Sequence, residues 1–116
     1  MMRRILIVDD DRRFRAIARA LLEADGFEVV GEAADGRTGL EAARALSPEV
    51  VLLDIQLPDV DGLEVARQLS AEDGPAIVLT STRDASDFGS DLFRSGARGF
   101  VPKGELSAER LVSLCE

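Results

Sequence analysis

Three aspartates occupy positions from which carboxylate chemistry could be done. Asp9 and Asp10 directly follow the apolar run Ile5-Leu6-Ile7-Val8, and Asp54 directly follows Val50-Val51-Leu52-Leu53. Thr80 and Ser81 end the run that begins Ala76-Ile77-Val78-Leu79, and Lys103 follows Gly99-Phe100-Val101-Pro102. If the first and third of these runs are neighbouring strands of a parallel sheet, the three acids converge on one cleft. Ligands of such sheets bind outside the carboxyl ends of the strands. Carboxylates gathered this way repel, which raises their pKa values unless a cation joins them. Mg2+ takes one or two carboxylates, keeps waters and shares phosphate oxygens. The cleft therefore reads as a Mg2+ and phosphate site, with a hydroxyl and an ammonium as further phosphate partners. Singly, each acid has a plainer reading as a helix cap or a solvated loop charge, and Asp11 is assigned to capping the first helix. It is the joint pattern of acids, hydroxyl and ammonium that points to chemistry.

The elements that must position these groups are legible in the apolar patterning. The four runs above, with the mixed stretch Glu28 to Ala33, read as five short strands. Runs that are apolar on both faces suit a parallel sheet covered on both sides. Between them lie helical periods. Phe14, Ile17, Ala18, Leu21 and Leu22 form one stripe, and Leu40, Ala43 and Leu46 form another that Pro48 closes. Leu63, Val65, Ala66 and Leu69 follow the start signal Asp61-Gly62. Phe88, Leu92 and Phe93 mark a fourth helix ended by Gly96, and Leu106, Leu111, Val112 and Leu114 mark a fifth, capped by Ser107. Strand and helix alternate five times, so the expected fold is α/β: a doubly wound (βα)5 domain with a five-stranded parallel sheet and helices on both faces.

Composition narrows the functions available. A chain of 116 residues makes one domain, taken as 1–116, with a folded surface of about 6,200 Å². Lys and Arg number 14 against 22 Asp and Glu, a net charge of −8. Direct contact with nucleic acid or an anionic membrane is not expected of such a domain. There is no histidine, and Cys115 is a lone cysteine, which excludes zinc sites, histidine-based triads and an internal disulfide. Arg3 and Arg4 precede only four apolar residues before the acids begin, so no secretory segment is expected. A cytoplasmic setting follows as the default. Gly36, Gly39 and Gly62 lack the spacing of a phosphate-binding loop. Arg12, Arg13 and Arg15 read as a solvated helix face, Arg12 being the one that could reach the cleft rim, and Cys115 as an incidental helix residue.

Taken together, the motifs resemble the receiver domain of two-component response regulators. Ile5-Leu6-Ile7-Val8-Asp9-Asp10-Asp11 is similar to the family's first strand and acidic pair. Leu53-Asp54-Ile55-Gln56-Leu57-Pro58-Asp59-Val60-Asp61-Gly62 is similar to its phosphorylation loop. Leu79-Thr80-Ser81 and Gly96 to Lys103 match its switch segment and last strand. The resemblance implies the flavodoxin-like strand order 2-1-3-4-5. It implies that Asp54 takes a phosphoryl group from a sensor histidine kinase or phosphotransfer protein. Asp10 would bind Mg2+ directly, Asp9 largely through water, and the Gln56 backbone carbonyl would complete the protein ligands. Thr80 would hydrogen-bond the phosphoryl group and Lys103 would pair with Asp54 or the phosphoryl oxygens. Phe100 stands where the family carries a rotating aromatic, with a plain core aromatic as the alternative.

Two departures bear on the switch. The family often has proline after the last lysine, whereas here Pro102 precedes Lys103 and Gly104 follows. The stretch from Thr80 to Lys103 is about one residue longer than usual, which leaves Ser81 as a second candidate hydroxyl; Thr80 is preferred. The expected function is a phosphorylation-dependent signalling switch, often controlling transcription, that catalyses only its own phosphotransfer and dephosphorylation and could form a homodimer when phosphorylated. An unphosphorylated pseudo-receiver acting as a protein-binding module is the alternative. A dehalogenase-like phosphohydrolase fits poorly, since it would want Asp-x-Asp after the first strand and a cap insertion.

Overall fold

Each apolar run becomes a strand of one parallel sheet in the computed structural model, which describes residues 3–115. The strands are β1 (Arg3–Val8), β2 (Phe27–Ala33), β3 (Val50–Asp54), β4 (Ala76–Ser81) and β5 (Gly99–Pro102). Their order is β2-β1-β3-β4-β5, as expected. β1 and β3 are therefore neighbours, with Val8 opposite Leu53, and β3 pairs with β4 so that Asp54 lies opposite Thr80. Both expected carboxyl-end clusters thus open at the same edge of the sheet.

Helices cover both faces: α1 (Arg12–Ala24), α2 (Gly36–Leu46), α3 (Gly62–Ala71), α4 (Asp91–Arg94) and α5 (Ala108–Cys115). Side chains alternate across a strand, so β1 divides its residues between two cores. Ile5 and Ile7 pack with Phe14, Ala18 and Leu22 of α1 and Leu111 of α5. Leu6 and Val8 pack with Ala43 of α2 and Val65, Ala66 and Leu69 of α3. This two-sided burial is why the central strands carry unbroken apolar runs. The accessible surface is 6138 Å², close to the value expected from chain length. Among the described residues no helix is long and apolar enough to cross a membrane.

The helix starts follow their signals. Asp11 accepts from the Arg13 and Phe14 amides, Asp61 from the Leu63 amide, and the Ser107 hydroxyl from the Arg110 amide. Three expectations need correction. Ile17 does not join the buried stripe of α1 and is 57% exposed. The fourth helix is only four residues long and follows a separate 3-10 turn at Ala85–Asp87. Ser86, Gly89 and Ser90 are poor helix formers, and Gly89 takes a positive φ that interrupts any continuous helix. Phe93, expected on its apolar face, is instead 90% exposed.

Candidate functional site

The cleft is built from the first residues beyond β1, the end of β3 and the residue after β5. Asp9 is fully buried and held on several sides. Its amide donates to the Ala33 carbonyl, its Oδ1 accepts from the Asp11 amide at 2.8 Å, and its own carbonyl accepts from Arg15 Nη1 at 2.6 Å. Asp10 is exposed at the mouth. Asp54 is 3% exposed, and its Oδ1 accepts from the Gln56 amide at 3.1 Å. Carboxylate oxygens of Asp9, Asp10 and Asp54 lie within 4.8 Å of one another.

Lys103 enters from the far side. Its Nζ lies 2.8 Å from Asp9 Oδ2 and 3.4 Å from Asp54 Oδ2. The nearer contact is a close ion pair, and the ammonium is the only polar partner of Asp9 Oδ2 among the described residues. Burial alone would lower the lysine's pKa, but its contacts with Asp9 and Asp54 outweigh that and hold it above the usual range. Asp54 moves the other way from a normal paired acid. Burial first, and the Asp9 charge second, push it up to about 6 despite the Gln56 amide and Lys103. A cleft with one ammonium for three carboxylates is under-neutralised. A buried acid with a single ammonium for partner at one oxygen, a second acid displaced upward and a third open to solvent, all within 4.8 Å, suit a hard divalent cation.

The loop from β3 to α3 is tied down at both ends. The Gly62 amide donates to the Ile55 carbonyl at 2.8 Å, and Gln56 bridges to Asp61. A Cβ at position 62 would overlap the Asp54 carbonyl oxygen, so only glycine permits this approach. Asp59 reaches across to the start of α2, accepting from the Gly36 amide at 2.8 Å and the Arg37 amide at 3.0 Å. Those amides, that of Gly36 foremost, hold the Asp59 carboxyl below its ordinary range.

The two candidate hydroxyls part company on β4. Thr80, the direct ladder partner of Asp54, is fully buried and donates to the Val101 carbonyl of β5 at 2.7 Å. Ser81 is also buried, but its hydroxyl accepts from the Arg83 amide at 3.0 Å and donates to Gln56 Oε1 at 3.4 Å. Phe100 is half-buried, with its ring centroid 6.2 Å from that of Phe88. It packs, as do Leu92 and Ala97, against the core on the α3 side of the sheet.

Two further residues belong to the site. Phe14 places its ring centroid 4.6 Å from Lys103 Nζ. Its position in the apolar stripe of α1 gave no signal separating it from a core residue. Arg15, read from sequence as solvated, is engaged by the Asp9 carbonyl and by Glu32 at 3.0 Å. Arg19 and then Arg15 hold the Glu32 carboxyl below its usual range.

Comparison with known proteins places the chain in a family. Residues 5–116 match the model of the response regulator receiver domain family. BvgA of Bordetella pertussis is 43% identical over 106 residues, covering 90% of this chain and 51% of that protein. The response regulator GacA of Pseudomonas viridiflava is 36% identical over 115 residues, covering 97% of this chain and 54% of that one. The crystal structure of a LuxR-family two-component response regulator from Aurantimonas sp. SI85-9A1 superposes with a TM-score of 0.85 at 33% identity, over 97% of this chain and 81% of that chain. This chain spans about half the length of the curated relatives it matches.

Proposed function

The chain belongs to the response regulator receiver family, and from that premise we propose that Asp54 is the phosphoryl acceptor of a two-component signalling switch. The observation that carries this reading is the state of Asp54: a buried carboxylate, raised to about 6, with an ammonium and two acids around it. The donor would be a phosphohistidine on a sensor kinase or phosphotransfer protein. An Asp54 oxygen attacks phosphorus, the N–P bond breaks, and the electron pair returns to the histidine ring, which can then take a proton. The product is an acyl phosphate on Asp54.

Asp9, Asp10, Asp54 and the Gln56 backbone carbonyl would hold Mg2+, which when bound neutralises charge on the transferring group. Lys103 supplies the remaining positive charge from the opposite side. Little covalent work is asked of the protein, since a loose phosphoryl transition state needs positioning and charge. Thr80 is the preferred switch hydroxyl in this reading because its backbone lies opposite Asp54 in the β3–β4 ladder, its hydroxyl resting on the Val101 carbonyl, whereas Ser81 is turned to Gln56. Leaving the Val101 carbonyl for a phosphoryl oxygen, Thr80 would alter the support of β5, on which Phe100 sits. The domain is taken as residues 1–116, of which Met1, Met2 and Glu116 lie outside the described residues.

The acceptor activates only its own phosphorylation and release, so turnover of a separate substrate is not proposed. The signal would pass to a partner, a second copy or an output domain, in a cytoplasmic setting. The pseudo-receiver reading is not favoured, because acids, hydroxyl and lysine are all present. The test is direct. Acetyl phosphate with Mg2+ should add one phosphoryl mass to the protein and none to Asp54→Asn. Full labelling of that variant would overturn the assignment.

A further inference from the structure

Lys103 is held by more than its two carboxylates. Its ammonium stands 4.6 Å from the Phe14 ring centroid, while Asp9 and Asp54 lie 2.8 Å and 3.4 Å away. The lysine is thus contacted by an aromatic ring on α1 and by anions from β1 and β3. The ring itself has little freedom. It is 9% exposed and packed in the core with Ile7, Ala18 and Leu52. The amide of Phe14 is also fixed by the cap, donating to Asp11 Oδ1 at 3.3 Å. A cation beside a desolvated aromatic face is attracted to it without being neutralised.

This matters because the anionic contacts of Lys103 must change during function. The nearer one is to Asp9, an expected participant in binding a cation. Once Asp9 is so engaged, the ion pair that orients the lysine weakens, and a flexible four-carbon stem would be free to leave. The ring contact does not depend on the state of either acid.

We propose that Phe14 is a positioning residue for Lys103, its ring keeping the ammonium aimed at Asp54 when Asp9 is engaged elsewhere. The inference rests on the reading of Asp54 as phosphoryl acceptor, and its test separates the two. Phe14→Tyr keeps an aromatic face; Phe14→Leu keeps an apolar side chain and loses it. The side-chain NMR signals of Lys103 in the metal-free protein should show a ring-current displacement in the parent and in Phe14→Tyr that is absent in Phe14→Leu. Labelling by acetyl phosphate with Mg2+ should then fall three- to tenfold in Phe14→Leu, in line with the strength of such contacts, and stay near the parent's rate in Phe14→Tyr.

A purely structural role would make labelling follow thermal stability in both variants. That outcome, or an unchanged rate in Phe14→Leu once the ring-current displacement is gone, overturns the proposal. Absence of the displacement in the parent overturns it as well. If the displacement is present but no protein is labelled, the parent included, the acceptor reading is what has failed and the positioning role falls with it.

Discussion

Lys103 stands closer to Asp9 than to the proposed acceptor, at 2.8 Å against 3.4 Å from Asp54. The cleft's one ammonium is therefore shared unequally, and Asp54 is the acid left under-compensated. This is the acid whose carboxyl is raised to about 6. An acceptor that resists carrying its own charge gains more from an added cation than a solvated carboxylate would. The inequality links rest-state electrostatics to the Mg2+ binding proposed above without any change of fold.

Asp54→Asn should make the metal-free protein more stable. It removes a buried charge that Asp9 opposes, while Asp9 retains Lys103. An increase of about 1–3 kcal/mol at pH 7 is expected from the size of the displacement. Urea unfolding in the presence of a chelator checks it; a variant less stable than the parent contradicts it.

The pH dependence of Asp54 has a sign opposite to that of a salt-bridged acid. Its folded value of about 6 lies above the ordinary 3.8, so the folded state binds the proton more tightly than the unfolded one. The penalty is complete above about pH 6 and fades as pH falls toward 3.8. Glu32 acts in the reverse sense: its folded value is lowered, so its contribution is present above 4.5 and lost as pH falls through that lowered value. Subtracting the Asp54→Asn curve from the parent's isolates Asp54. The difference should shrink between pH 7 and pH 4; a flat difference would refute the displacement.

Asp10→Ala should separate metal binding from folding. Asp10 is exposed, so its loss should change stability by less than about 0.5 kcal/mol. Its removal should nonetheless abolish most of the Mg2+-induced stabilisation and slow labelling at least tenfold. Thermal melts with and without Mg2+ measure both; an unchanged Mg2+ response would exclude Asp10 as a ligand.

Thr80→Ala should leave labelling of Asp54 largely intact and uncouple it from association. Losing the buried hydrogen bond to the Val101 carbonyl should also cost about 1–2 kcal/mol. Sedimentation of the parent, Thr80→Ala and Ser81→Ala, each with and without beryllofluoride, distinguishes the two hydroxyls. A response lost in Ser81→Ala and kept in Thr80→Ala would transfer the role to Ser81.

Gly62→Ala should be among the more damaging single substitutions. The added Cβ would meet the Asp54 carbonyl oxygen and the Ile55 Cα, both backbone atoms. Neither can yield without moving the acceptor strand. A loss of about 2–4 kcal/mol is expected, comparable to overpacking a core; denaturant unfolding reads it, and near-parent stability would show that the loop can relax.

The sequence revealed the strands well because β1, β3 and β4 are covered on both faces, and only apolar residues satisfy that. It also placed Asp9, Asp10, Asp54 and Lys103 at the carboxyl end of the sheet, since each ends or closely follows a strand. The strand order that joins them came from family resemblance, because local pattern does not encode which strands become neighbours. The region from Arg83 to Arg94 was less legible. Its apolar residues Phe88, Leu92 and Phe93 keep a helix-like spacing, yet Ser86, Gly89 and Ser90 lower the local preference enough to break it. Phe14 was invisible as a site residue for the opposite reason. One side chain fills the core and touches a lysine whose sequence separation hides the contact.

The last strand has a consequence for how copies of this protein can meet. β5 is four residues long, lies at the sheet's edge and ends in Pro102, which has no amide hydrogen to offer a neighbour. A longer, flatter border would invite another chain to extend the sheet, an addition that tends to be persistent. A border this short, closed by proline, favours contacts made by side chains, a patch at a time. If the phosphoryl group proposed for Asp54 controls such contacts, they would be undone when it is lost, which would keep the message erasable.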